Sequence, residues 1–427
     1  MAEGENSGGS RGGPGLWEIG ARALVHRLLR RLRYGSIELV EAWSGARFKF
    51  GGGGPAAKVE VRSPRAYAEL VRHRSVGLGM SYAGRLWEAD DLVALCRILA
   101  REVRRGDGLR RRVAIAGRPF ERLRPGPRVN TRRGARRNIA AHYDLGNDLF
   151  ELFLDGETMM YSSALFERED ATLEEAQLAR LERVCRWLQL VGDDHLVEIG
   201  TGWGGLAVHA AGRYGCRVTT TTISREQREY AEARVRAAGL EDRVTVLGAD
   251  YRDLEGTYDK LVSLEMIEAV GWQYFDTFFR HCSELLEPHG LFFLQAIAVE
   301  DRAYEAEKRA RSFANELIFP GGCLPSLEVI QRCIAHVTDM RTVWLEDISA
   351  SYALTLRHWR ERFVAASGQL DELGYDERFR RLWTLWLALS EAGFREARIR
   401  DVQLVAAKPR WEGRLTADRA EQAGVEA

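Results

Sequence analysis

The sequence predicts an α/β protein: a Rossmann-like, doubly wound sheet over residues 138–410, preceded by a small α+β N-terminal domain over residues 16–105. Three observations predict it. The chain has 427 residues, more than one ordinary domain holds. From residue 138 strand-like runs alternate with helical ones, the signature of a parallel sheet wrapped by helices. A turn carrying Gly200, Gly202 and Gly205 sits between the strand "HLVEIG" and the helix "GGLAVHAAGRYG", as in nucleotide-binding units.

Residues 1–15, "MAEGENSGGSRGGPG", form a Gly/Ser tail, expected to be disordered and lacking the apolar core of a signal peptide. "LWEIGARALVHRLLRRLRY", Leu16 to Tyr34, reads as a helix with an apolar side and Arg22, Arg27, Arg30, Arg31 and Arg33. Two readings stand for it: an interfacial membrane helix, or a domain helix with a solvated basic face. Two short strands flank Gly51–Pro55, and "SYAGRLWEADDLVALCRILAREV" turns helical. An Arg-rich linker over 106–137 follows; from Arg101 to Arg137 there are fourteen arginines against three acids. It is a solvated linker or an arm for phosphate groups, each basic residue contributing about 1 kcal/mol near an anionic bilayer.

In the main domain, Thr172 and Glu175 form a capping box before "LEEAQLARLERVCRWLQL". "CRVTTTTI" is a second strand. Ser224 and Gln227 cap the helix "REQREYAEARVRAAG", which Gly239 ends. "RVTVLGAD", "DKLVSLE" and "GLFFLQAIAV" are buried strands, and "RAYEAEKRARSFANELIF" is a helical insertion. Helices around Leu356–Phe363 and Phe379–Glu391 precede a last strand, "ARIRDVQLVAA"; Trp383 and Trp386 lie at helical spacing and read as core. Residues 411–427 are a C-terminal tail.

Residues 1–137 carry 29 Lys/Arg and 13 Asp/Glu, and residues 138–427 carry 33 and 49, so a balance of +16 faces one of −16. A basic front on an acidic body points to an anionic partner. The six cysteines stand without C-x-x-C pairs, which excludes a zinc ribbon, predicts no metal site and fits a reducing cytosol. No apolar run approaches the ~20 residues of a membrane span, so a cytoplasmic, at most peripheral, protein is expected.

The glycine turn suits either a dinucleotide or another adenosine-bearing cofactor. A dinucleotide site needs an acid about 20 residues on, at the tip of the second strand, for the ribose. Here that tip reads "TTTTISREQ" and has no carboxylate, whereas Glu198 stands two residues before Gly200. An acid at that place suits a cationic, amine-bearing ligand, as in S-adenosylmethionine sites. Asp250 and Tyr251, after the third strand, lie where an adenine edge would sit, although Asp250 alone also reads as a turn cap.

Seven stretches, in order, carry a resemblance: "HYDLGNDLFELFLDGETMMYSSALF", "VEIGTGWGGLA", "TTISREQ", "DYRDL", "EMIEAVGWQYFDTFF", "FPGGCLPS" and "YALTLRHWRERF". Over residues 138–405 the chain resembles the cyclopropane-fatty-acid synthase family, which includes the mycolic-acid methyltransferases. The resemblance implies a class I S-adenosylmethionine methyltransferase sheet with helical lid insertions. The implied activity is methyl transfer to a cis double bond of a lipid acyl chain, in several members with a bicarbonate ion as base. It implies that Tyr161 and Ser162 close over the cofactor and that Glu198, Gly200, Gly202, Thr222, Gln227, Asp250 and Tyr251 contact it. Glu268, Tyr352 and Tyr143 are implied around the bicarbonate.

Three positions depart from the family pattern: Ser163 replaces a cysteine, Ala269 replaces the histidine after Glu268, and Gln295 replaces an ion-binding histidine. Glutamine donates a hydrogen bond but carries neither proton nor charge, so the base site is altered, and Gln295 and Ser163 join the candidate catalytic residues. The stretch "LQAIAVEDRAYEAEKRARSFANELIFPGGCLPS" resembles most the actinobacterial methyltransferases of the tuberculostearic-acid pathway, which place a methylene group on carbon 10 of an oleoyl chain before a flavin-linked reductase saturates it. Implied partners are phospholipid acyl chains at the anionic inner face of the membrane, that reductase and a second copy of the chain. The other readings are a small-molecule N-methyltransferase, a non-catalytic scaffold and a nucleic-acid methyltransferase. Against the last, the chain has no "NPPY"-type loop and no aromatic-interleaved basic sheet, so no nucleic-acid partner is expected.

Overall fold

The computed structural model describes residues 15–116, 130, 131, 134 and 145–413. Most of the Arg-rich segment, the N-terminal tail, Tyr143 and residues 414–427 lie outside the described residues. The chain divides into two compact units, residues 1–95 and 96–427.

In the first unit the helix Leu16–Leu29 precedes β1 (Ser36–Glu41), β2 (Ala46–Gly51) and β3 (Ala56–Val61); the helix Arg65–Ala83 and β4 (Trp87–Ala89) complete it. The two strands expected around Gly51–Pro55 are β2 and β3, but they do not pair with each other. Both pair with β1, β2 antiparallel and β3 parallel, in the order β2-β1-β3-β4. Strand β1 alternates as sheets with one buried face do, with Ile37, Leu39 and Glu41 inward. Glu41 is tolerated there because Arg22 Nε (2.6 Å) and Tyr67 Oη (2.9 Å) donate to it.

The second unit holds a seven-stranded sheet: β5 (His195–Ile199), β6 (Arg217–Thr221), β7 (Val244–Leu247), β8 (Tyr258–Leu264), β9 (Leu286–Val299), β10 (Arg341–Asp347) and β11 (Ile399–Ala407), in the order β10-β11-β9-β8-β5-β6-β7. Strands β5 to β9 are the five expected, and they run parallel. The closing strand β11 runs antiparallel to β9, and β10, which was not anticipated, runs antiparallel to β11. A buried apolar run reads the same in both directions, so its pattern holds no direction. Phe275, Phe278, Phe279 and Phe292 fill one face of the sheet.

The expected caps form. Thr172 Oγ1 accepts from Glu175 N and Glu175 reaches back to Thr172 N; Ser224 Oγ accepts from Gln227 N; Gly239 takes a positive φ after the helix Arg225–Ala237. The segment expected to be a linker from residue 106 begins as helix, because Leu92–Ala116 is continuous. Its arginines are engaged: Arg97 and Arg101 donate to Glu396, Arg104 to Glu300, and Arg110 pairs with Asp107 and Glu307. Among the described residues no helix is long and apolar enough to cross a membrane.

Candidate active site

A cleft of roughly 1090 Å³, counting its open mouth, lies at the C-terminal ends of β5, β6 and β8, where ligands bind in open α/β sheets. The turn after β5 shapes it. Gly200 and Gly202 have φ of +106° and +52°, conformations that a side chain would strain. Gly205 starts the helix Gly205–Tyr214 so close to the neighbouring segment that a Cβ would lie 2.4 Å from the Thr158 carbonyl. That segment is pinned elsewhere too: Asp155 accepts from Thr158 N (2.5 Å) and Met160 N (3.1 Å), and Arg234 donates to the Thr158 carbonyl (2.9 Å).

Tyr161, Ser162, Glu198, Gly200, Gly202, Thr222, Gln227, Asp250 and Tyr251 all line this one cleft, although they span ninety positions of sequence. Glu198 is 2% exposed and accepts from Thr220 Oγ1 at 2.6 Å; burial pushes its carboxyl up to about 8. Thr222 Oγ1 donates to Gln227 Oε1 at 2.9 Å. Asp250 caps the turn Tyr251–Asp253 and also lines the cleft, while Arg252 binds its carboxylate at 2.7 and 2.8 Å. Ser162 Oγ and Tyr251 Oη are buried and have no hydrogen-bond partner. Buried polar atoms left this way in a cleft call for a ligand. A carboxylate beside glycine backbone, with hydroxyls and an amide around it, fits the sulfonium, amino acid and ribose of S-adenosylmethionine.

Behind the cleft lies a set of buried acids. Ser163, Gln295 and Tyr352 come together here, and they converge on Glu265. Its Oε1 accepts from Ser163 N and Gln295 Nε2, each at 2.7 Å, and its Oε2 from Tyr352 Oη at 2.6 Å. The Ser163 hydroxyl itself donates to the Ala164 carbonyl, so this serine acts here through its backbone. Gln295 also donates to Asp401 at 3.2 Å and accepts from Gln403. Glu268, one turn beyond Glu265, accepts from Ile297 N at 2.5 Å; its Oε2 has no partner, and burial with the nearby Glu265 charge pushes it up to about 8. Arg180 is a fully buried cation among these acids, with Nε and Nη1 unpartnered. Glu265 lines the cleft, whereas Glu268, Gln295, Ser163 and Tyr352 do not.

Among the lining residues that the sequence reading did not assign to the site, two carry polar chemistry of interest here, Glu265 and Asn130. Glu265 had a weak signal, a second acid three positions before Glu268 at the end of a buried strand. Asn130, which donates to the Ala269 and Gly321 carbonyls at 2.8 and 3.0 Å, had none, since it sits in an arginine-rich stretch.

Comparison with known proteins agrees with this fold. The description of one protein family, mycolic acid cyclopropane synthetase, matches residues 130–404. The chain is 39% identical to the tuberculostearic acid methyltransferase UfaA1 of Mycobacterium tuberculosis, over 87% of this chain and 88% of that one. It is 36% identical to the cyclopropane-fatty-acyl-phospholipid synthase of Escherichia coli K12, over 85% and 90%. Among solved structures, mycolic acid cyclopropane synthase CmaA1, complexed with SAH and CTAB, superposes with a TM-score of 0.60 at 30% identity, covering 64% of this chain and 98% of that one.

Proposed function

The chain belongs to the mycolic acid cyclopropane synthetase family and is an S-adenosylmethionine-dependent methyltransferase; from that premise we propose that it methylates the cis double bond of a phospholipid-borne oleoyl chain and yields a 10-methylene-stearoyl chain. The observation that carries this reading is the wall behind the cofactor cleft, built of buried acids and aromatic rings. Tyr161 lies 5.2 Å from Trp359 and 6.4 Å from Phe319, and Tyr352 stacks on Phe394 at 4.4 Å.

S-adenosylmethionine, when bound, supplies an electrophilic methyl group. An isolated alkene is a weak nucleophile, and methylating it leaves a positive charge on the chain. Water would trap that charge, so a dry wall of π faces and carboxylates is the environment the reaction needs. Glu198 anchors the cofactor's cationic end, and Tyr161 and Ser162 cover it. With the methyl on carbon 10, a hydride shift to carbon 9 and loss of a methyl proton give the exocyclic methylene.

The second reading is ring closure to a cyclopropane, which the identity to the Escherichia coli synthase favours. A methylene chain is one hydride and one proton short of a methyl branch, so the first reading requires a flavin-dependent reductase partner. The resemblance further implies a homodimer. A peripheral place at the inner membrane face is supported by the helix Leu16–Leu29, where Leu16, Trp17, Ile19, Leu24 and Leu28 are exposed beside Arg27, Arg30 and Arg31. The six free cysteines fit a reducing compartment.

The test is proton NMR of acyl chains released after incubation with S-adenosylmethionine and oleoyl phospholipid vesicles. Vinylidene protons are expected. High-field ring protons would make the chain a cyclopropane synthase, and no transfer to lipid would refute both readings.

A further inference from the structure

We propose that Glu265 is the base of the reaction, its carboxylate taking the proton that the methylated chain loses. This rests on the reading of the chain as an alkene methyltransferase. The bicarbonate implied by the resemblance does not fit the residues present. Tyr352, implied beside that ion, and Gln295, at the position of an ion-binding histidine, donate to Glu265 instead, and the Ser163 backbone amide joins them. A free anion there would add like charge to a pocket that already holds Glu265, Glu268 and the buried Asp401 near the buried cation Arg180.

Three further observations single out Glu265. It lines the cleft that the cofactor-contact candidates share, so it faces the space the methyl donor would occupy. Its φ is +50°, a left-handed conformation that a glutamate avoids; such strain persists where the surroundings over-determine it, and it clusters at functional sites. Its three donors come from positions 163, 295 and 352, so distant parts of the chain agree on holding an ionised carboxylate in a dry place. Burial nevertheless raises its pKa from the ordinary glutamate value, and that makes it a stronger base than a solvated carboxylate.

The step balances. Methyl transfer breaks the carbon–sulfur bond of the donor and uses the alkene π pair to form the new carbon–carbon bond. The hydride shift moves the positive charge to the methyl-bearing carbon. A methyl C–H pair becomes the exocyclic double bond, and its proton goes to a Glu265 carboxylate oxygen. No external oxidant or reductant enters.

The experiment compares the wild type with Glu265→Gln and Glu265→Gly. Turnover is measured with S-adenosylmethionine and oleoyl phosphatidylglycerol vesicles, in carbon-dioxide-stripped buffer and with added bicarbonate, and S-adenosylmethionine affinity is measured by calorimetry. The glycine variant relieves the positive φ, and the glutamine variant keeps an oxygen that can still accept from the same donors. The wild type is expected to turn over equally in both buffers. Glu265→Gln should lose about 100-fold or more in turnover, the size of a general-base contribution. Its S-adenosylmethionine affinity should stay within about threefold, which marks a loss confined to the chemical step. Glu265→Gly should fall as far and regain activity with formate or bicarbonate, small anions that fit the vacated space. Turnover of Glu265→Gln within about threefold of the wild type would overturn the proposal, as would a wild type that stops when stripped of bicarbonate. A wild type that methylates no lipid in either buffer would instead sink the proposed reaction, and this assignment with it.

Discussion

Glu198 makes S-adenosylmethionine binding depend on pH in a way that one substitution isolates. Burial pushes its carboxyl from the ordinary 4.5 up to about 8, with only Thr220 donating to it and Arg180 acting at a distance. The free protein therefore holds Glu198 neutral at pH 6, and binding the cofactor's cationic end as a carboxylate first requires losing that proton. Two pH units below the pKa this costs about 2.7 kcal/mol. A hydrogen bond to a charged partner contributes about 1.5–3 kcal/mol. The two nearly cancel at pH 6, whereas above pH 8 the interaction is undiminished. Glu198→Gln, which cannot ionise, should thus bind almost as well as the wild type at pH 6 and roughly 10- to 100-fold more weakly at pH 8.5. The cofactor's own amino group titrates alike against both proteins, so the ratio of dissociation constants removes it. Titration calorimetry in buffers of different ionisation enthalpy should show a fractional proton release per cofactor bound by the wild type that is larger at pH 7 than at pH 6, and none from this site in the variant. The same shift sets a stability trend in the ligand-free protein. The folded pKa lies above the unfolded one, so the contribution is complete below the unfolded value and is lost as pH rises through about 8. Melting temperature should fall across that window, and less steeply in Glu198→Gln. A ratio of dissociation constants that stays constant from pH 6 to 8.5 would refute the reasoning.

Gly205→Ala places a methyl 2.4 Å from the Thr158 carbonyl and 2.7 Å from Met160 Sδ; overpacking of this kind costs about 1–3 kcal/mol, so a lower melting temperature and weaker S-adenosylmethionine binding are expected, and a variant equal to wild type in both would contradict the packing argument. Tyr352→Phe removes the hydroxyl that donates to Glu265 Oε2 at 2.6 Å; losing a donor to the ionised form raises the Glu265 pKa, so the acid limb of the pH–rate profile should move to higher pH, and an unmoved limb would count against it. Trp17→Ala with Leu28→Ala removes two side chains 60% and 58% exposed; partition onto anionic vesicles should drop about tenfold or more, given 1.5–3 kcal/mol for a large apolar side chain buried. Because neither side chain is buried in the fold, the melting temperature should hold, and undiminished vesicle binding would assign membrane contact elsewhere.

The parts of this protein that were legible in its sequence are those decided within a few residues. The capping pairs Thr172–Glu175 and Ser224–Gln227 form as read, because each needs only a hydroxyl and a backbone amide three positions on. The strand, glycine turn and helix from His195 to Tyr214 are equally local. What escaped was decided at a distance. The direction of β11 depends on the route the chain takes through the preceding helices, and the β1 pairings depend on two strands that follow it. The engaged arginines of Leu92–Ala116 find Glu300, Glu307 and Glu396 some two hundred or more positions away, so a run that reads as a free basic arm is partly neutralised within its own unit. Glu265 is the sharpest instance. Glu268, in the motif, drew the catalytic assignment, and Glu265 three positions earlier drew none. The structure gives Glu268 one backbone donor and one unpartnered oxygen, while Glu265 lines the cleft and receives three donors. A buried carboxylate's chemistry depends on which groups donate to it and what space it faces. Here both are set by residues 163, 295 and 352, so neither is written in the residues beside it.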